Sequence, residues 1–140
     1  MGDVLFTFDS DVAPDAVRQA LTTTEGITSF WTDKADIPKE VGETLKLGFP
    51  EAPLPFDLLL AQSDDKVIIW RTATFPPQWV GTDIRWEISG GDGTSTVAFR
   101  HGTFADETEE GRVAYVWGQV MVQLKRYLET GVPAPVFVNS

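Results

Sequence analysis

Residues 106–131 read DETEEGRVAYVWGQVMVQLKRYLETG, and this stretch decides the fold because it is the one long helix that the sequence predicts. Apolar side chains recur in it at steps of three and four residues, which gives a helix a single apolar stripe. Acidic residues crowd its start, where they suit the positive end of the helix dipole, and Gly131 is a typical stop. We therefore expect an amphipathic helix that needs a second layer to cover its stripe. The stripe consists of Val113, Trp117, Val120, Leu124 and Leu128.

Much of the chain before this helix alternates between apolar and polar residues, which is the pattern of half-buried strands. Short turns separate the alternating segments, and Gly90-Gly91-Asp92-Gly93 indicates a hairpin turn rather than a phosphate-binding loop. An antiparallel meander is the simplest topology for such a series. The predicted strands cover residues 3–9, 43–49, 56–62, 66–73, 82–89 and 94–101.

Two short helices are predicted between the first two of these strands. Pro14 lies in the first turn of the first helix, where its missing N–H is tolerated. The second helix begins near Thr22, whose spacing to Glu25 matches a capping box, and runs toward Trp31. The long C-terminal helix is then the only predicted element able to cover a sheet of six or seven strands, so we expect an α+β fold.

Composition excludes several classes of protein. The chain has 140 residues, of which 42% are hydrophobic, so we expect one domain spanning residues 1–140 with a sizeable core and no intrinsic disorder. The formal net charge of −10 repels phosphate backbones and anionic lipids, so we expect neither nucleic acid nor a membrane as a partner. The sequence also lacks a signal peptide and a membrane-spanning run, which predicts a cytoplasmic protein.

Metal and cofactor sites are not indicated by the residue types present. Cysteine is absent, which removes thiolate ligands, disulfides and cysteine nucleophiles. His101 is the single histidine, whereas most histidine metal sites need two or more imidazoles. We therefore predict no metal, no cofactor and no assigned catalytic residue.

The order of elements resembles the helix-grip fold of the START and birch-pollen-allergen superfamily (SRPBCC), in which an antiparallel sheet wraps around a long C-terminal helix and two short helices follow the first strand. Several short motifs narrow the resemblance to the AHSA-like family, the proteins related to the activator of heat-shock-protein ATPase. The similarity covers essentially the whole chain. The motifs are Ile27-Thr28-Ser29-Phe30-Trp31, Gly42-Glu43-Thr44-Leu45, His101-Gly102-Thr103-Phe104, Trp117-Gly118 and residues 124–131.

This resemblance implies a cavity between the sheet and the C-terminal helix that accepts hydrophobic or amphipathic small molecules. Strand parity, the helix stripe and the proline-flanked loops indicate which side chains face such a space. The same side chains could instead interdigitate as a packed core with no cavity, and the sequence leaves this alternative open. The candidates are Trp31, Phe49, Phe56, Leu58, Trp70, Phe75, Trp79, Trp86, Phe99, His101, Trp117 and Met121.

Three classes of function remain after these exclusions. We favour a binder or carrier of a small hydrophobic molecule in the cavity. The second class is a cyclase- or hydrolase-like enzyme that uses His101 with Tyr115 or an acidic residue, although a core histidine is the simpler reading of His101. The third is a co-chaperone-like protein-interaction module, whose acidic surface would meet a basic partner. The sequence also allows a homodimer formed through an exposed edge strand.

Overall fold

The computed structural model describes residues 2–139, which form a seven-stranded antiparallel sheet and three α-helices. The predicted α+β helix-grip fold is confirmed. None of the described helices is long and apolar enough to cross a lipid bilayer. The elements are β1 (Gly2–Ser10), α1 (Pro14–Thr22), α2 (Thr24–Phe30), β2 (Lys34–Asp36), β3 (Thr44–Gly48), β4 (Phe56–Ser63), β5 (Val67–Thr72), a 3-10 helix (Pro77–Trp79), β6 (Asp83–Gly91), β7 (Thr94–Phe104) and α3 (Glu107–Thr130).

The sheet is a meander from β2 to β7, with β1 added at the far side of β7, so its strand order is β1-β7-β6-β5-β4-β3-β2. The β6–β7 hairpin shows how local sequence fixes register. Asp92 and Gly93 both have positive φ, 54° and 83°, as a two-residue type I′ turn requires. This turn pairs Gly91 with Thr94, and the register then runs unbroken to the pair of Asp83 with Gly102.

The core lies between one face of the sheet and α3. On β6, Ile84, Trp86 and Ile88 are buried, which confirms the inward face predicted by alternation. On α3, Val113, Trp117, Val120, Met121 and Leu124 are buried, so the predicted stripe does cover the sheet. Each such large apolar side chain contributes about 1.5–3 kcal/mol when it is fully buried.

Two details of the short-helix region differ from the sequence prediction. The cap of α2 is Thr23, whose hydroxyl oxygen accepts a hydrogen bond from the Gly26 N–H at 2.9 Å. Thr22 instead ends α1, and its hydroxyl donates to the Arg18 carbonyl at 2.7 Å. The two helices are therefore separated by a single extended residue, which forces a close approach between them.

Gly26 of α2 lies directly against the backbone of α1, with no room for a side chain. A Cβ atom at this position would lie 2.3 Å from the Ala20 carbonyl oxygen, so Gly26→Ala should destabilise the fold by about 2 kcal/mol or more. Gly111 in α3 is the matched control, because a Cβ there meets nothing within 4 Å. Gly111→Ala should stabilise by up to about 1 kcal/mol, since alanine is the better helix former. Urea unfolding of both variants tests this, and equal shifts in the same direction would contradict it.

Candidate ligand-binding site

An open cavity of about 360 Å³ lies at one end of α3, between this helix and the loops that follow β3 and β5. Val113 and Val116 of α3 line one side. Pro50 and Ala52 come from the first loop and Pro76 from the second. The walls are largely apolar, and the volume is at the small end of the range that ligand sites occupy.

Six aromatic rings line the cavity, and they contact one another in a continuous series. The ring centroids of Phe49 and Phe56 are 4.4 Å apart, and those of Trp31 and Trp117 are 4.9 Å apart. Phe49 connects the two pairs because its ring lies 5.5 Å from that of Trp31. The six aromatic lining residues are Trp31, Phe49, Phe56, Trp79, Trp117 and Phe137.

Asp57 holds the loop that carries Pro76 and Trp79 to the cavity. Its carboxylate accepts hydrogen bonds from the backbone N–H groups of Thr74 and Phe75, at 3.1 and 2.7 Å, and from the Thr74 hydroxyl at 2.5 Å. Partial burial by itself would raise the pKa of Asp57, but these hydrogen bonds outweigh it and hold the pKa below its usual range. The loop is therefore tied to β4 by a charged acceptor.

The C-terminal segment supplies a wall that the sequence analysis missed. The Phe137 N–H donates to the Trp31 carbonyl at 2.9 Å, and the Asp33 N–H donates to the Phe137 carbonyl at 3.1 Å. Asn139 strengthens this attachment, because its side-chain amide donates to the Asp33 carboxylate at 2.7 Å and lowers the pKa of Asp33. As a result the Phe137 ring packs edge-on against Phe49, with centroids 5.1 Å apart.

His101 lies behind the cavity wall and connects two of its tryptophans. The Trp117 indole N–H donates to His101 Nδ1 at 3.0 Å. Nε2 therefore carries the ring proton in the neutral form and donates to the Thr82 hydroxyl at 2.9 Å, and that hydroxyl donates to the Trp79 carbonyl at 2.6 Å. Burial lowers the pKa of His101 to about 3, and the carboxylate of Asp83 opposes this only in part. His101 is a neutral core histidine at pH 7.

The rim of the cavity is polar and charged. Glu51 comes from the loop after β3 and Gln78 from the 3-10 helix. Glu109 and Arg112 come from the first turns of α3. The cavity thus has an aromatic interior and a mouth at which ionic groups meet solvent.

The structure brings together only part of the predicted site. Trp31, Phe49, Phe56, Trp79 and Trp117 line the cavity, while Phe75 packs against Phe56 at 5.7 Å. The other six predicted residues do not line this cavity, and all six are buried in the core. The aromatic cavity therefore lies at the start of α3 and not beside these six side chains. The six buried residues are Leu58, Trp70, Trp86, Phe99, His101 and Met121.

Of the side chains considered for an enzyme, His101 and Tyr115 are not brought together. His101 is fully buried, and both of its ring nitrogens already have hydrogen-bond partners. Tyr115 lies on the outer face of α3 and is 74% exposed. Within residues 2–139, no three His, Asp or Glu side chains lie close enough together to hold a metal ion.

The buried neutral imidazole of His101 makes the folded protein less stable as the pH falls. The pKa of His101 is about 3 in the folded protein and near its ordinary 6.5 when unfolded, so the unfolded chain binds one more proton between these values. Stability from this group is therefore complete above about pH 6.5 and is lost as the pH falls toward 3.

His101→Gln retains a hydrogen-bonding side chain but removes this titration. We expect the wild type to lose about 1.4 kcal/mol more per pH unit than the variant between pH 6 and pH 4. Urea unfolding at pH 7, 6, 5 and 4 measures the difference, in which the contributions of the carboxylates cancel. Parallel curves for the two proteins would show that His101 is not held neutral.

Known protein structures share the fold of this chain. No protein-family model and no curated protein matches the sequence. The solution structure of the Aha1 dimer from Colwellia psychrerythraea is 25% identical over 94% of this chain and 98% of that chain, with a TM-score of 0.83.

Two crystal structures with lower sequence identity show the same fold. Protein SSP2350 from Staphylococcus saprophyticus is 19% identical, with a TM-score of 0.77, over 97% of this chain and 98% of that one. CalU16 from Micromonospora echinospora is 16% identical, with a TM-score of 0.72, over 95% of this chain and 77% of that one. Together with the sheet order and the position of α3, these similarities show that the chain shares the fold of the Aha1 protein, the helix-grip fold expected from the sequence.

Proposed function

We propose that this protein binds or carries a small hydrophobic molecule in the cavity at the end of α3. The observation that carries the proposal is the wall of six aromatic side chains around an open space of about 360 Å³. Phe49, Phe56, Trp79 and Phe137 are only partly buried, although they belong to residue types that proteins prefer to bury. A ligand would cover the aromatic surface that the fold itself leaves open.

The cavity is held in shape before a ligand enters. Asp57 fixes the loop after β5, and Asn139 with Phe137 fixes the C-terminal segment. Trp117 cannot turn freely, because its indole N–H is committed to His101. Preorganised walls reduce the ordering cost of binding, so a small apolar ligand keeps more of the free energy that burial supplies.

Val116→Phe tests this site, because residue 116 is half-buried on the cavity side of α3 and a larger side chain would occupy the space. We expect the variant to bind the neutral fluorescent probe N-phenyl-1-naphthylamine at least tenfold more weakly, a loss of about 1.4 kcal/mol. Fluorescence titration gives the affinity.

Val122→Phe is the matched control, since Val122 lies on the same helix, is 57% exposed and does not line the cavity. It should bind the probe as the wild type does. Thermal unfolding of both variants checks that each is folded. Equal affinities in all three proteins, or no binding by the wild type, would contradict the proposed site. Native mass spectrometry of the purified protein shows in addition whether a molecule is retained.

A second candidate property is self-association, which is favoured by the dimer seen for the Colwellia relative. In this chain β1 and β2 are the edges of the sheet, and Leu5 of β1 is 63% exposed. We expect sedimentation velocity to show a dimer whose fraction of the total protein increases as the concentration rises from 1 to about 100 μM. A single monomer species over this range would exclude it.

A further inference from the structure

The charge around the cavity mouth is the feature that the aromatic wall does not explain. Two carboxylates, Glu51 and Glu109, lie at the rim with one guanidinium, Arg112. The formal charge of the whole chain is −10. Both the rim and the wider surface therefore produce a negative potential that attracts cations and repels anions.

The N-terminus of α3 does not make the electrostatic potential at the cavity mouth positive. A helix N-terminus carries a partial positive charge, which favours anions. Here the first turn contains Glu107, Glu109 and Glu110, and the cap is the Asp106 side chain, which accepts from the Thr108 N–H at 2.8 Å. These carboxylates offset the helix dipole at the place where α3 meets the cavity.

The aromatic interior, like the rim, favours a positively charged ligand. The face of an aromatic ring carries negative electrostatic potential, and a cation within about 6 Å of a ring centroid is attracted to it, most strongly for tryptophan. Trp31, Trp79 and Trp117 are three of the six rings that line the cavity. Arg112 is an exposed side chain at the rim, so its charge can extend into water rather than into the aromatic interior.

We propose that the cavity selects cationic amphiphiles, that is, molecules with a protonated or quaternary amine and an aromatic or aliphatic body. The apolar body would lie among the rings, and the amine would sit between the rings and the carboxylates of Glu51 and Glu109. This inference rests on the proposed function, because it requires that the cavity binds a small hydrophobic molecule at all.

A set of ligands that differ only in charge tests the inference. The compounds 2-naphthylmethylamine, 2-naphthylmethanol and 2-naphthoate share one bicyclic body and are cationic, neutral and anionic at pH 7. Each is titrated against the wild type loaded with N-phenyl-1-naphthylamine, and displacement gives its affinity. We expect the amine to bind about fivefold or more tightly than the alcohol, and the carboxylate to bind most weakly.

Matched variants locate the source of this preference. Glu109→Gln should reduce the amine-to-alcohol affinity ratio about threefold, because it removes a rim carboxylate. Glu107→Gln removes the same charge from an exposed position of the same turn that does not line the cavity, so it should reduce the ratio less. Arg112→Gln should raise the ratio, since it removes the one rim cation.

The outcomes separate the two proposals. Equal affinities for the three compounds, or a preference for the carboxylate, would overturn the cation preference and leave the hydrophobic cavity intact. An equal effect of Glu107→Gln and Glu109→Gln would also overturn it, because the net charge of the chain would then be responsible. If neither the fluorescent probe nor any of the three compounds binds, the proposed function itself fails.

Discussion

The indole of Trp117 is the contact on which the rest of the structure depends. Its ring lies 4.6 Å from that of Phe99 on β7 and 4.9 Å from that of Trp31 at the end of α2. Its N–H donates to buried His101, so a polar group enters the core without losing its hydrogen bond. One side chain thus joins the long helix, the sheet and the short helices, and also forms part of the cavity wall.

The position of the cavity follows from how much space these rings occupy. Trp70, Trp86 and Phe99 pack with Trp117 between the sheet and α3, and their ring centroids lie between 4.6 and 6.1 Å apart in the contacting pairs. These rings consequently occupy the space between the sheet and the middle of α3. The aromatic cavity lies where α3 begins, since the facing loops contain prolines and do not extend the sheet over it.

The long helix and every strand except β2 were predictable, because periods of two and of about four residues are direct consequences of backbone geometry. The three residues of β2 are too few to show a period. The cap of α2 was misplaced by one residue, since Thr22 and Thr23 are chemically equivalent and only the geometry of the chain selects Thr23. Parity correctly assigned Trp86 and Phe99 to the inward face, but it cannot show which inward side chains border a void. Phe137 was not predicted, because its position depends on a backbone hydrogen bond to Trp31. The segment that contains Phe137 is irregular, so its sequence has no periodic pattern from which this contact could be inferred.

The attachment of the C-terminal segment has a consequence for the order of events during synthesis. Phe137 and Asn139 are translated after every strand and helix that they contact. The end of α2 is therefore synthesised long before the residues that hydrogen-bond to it. β1 likewise waits for β7, whose residues follow it by more than 80 positions. The apolar face of the sheet can therefore be covered only after α3 has been synthesised, and the cavity wall is complete only once Phe137 follows it.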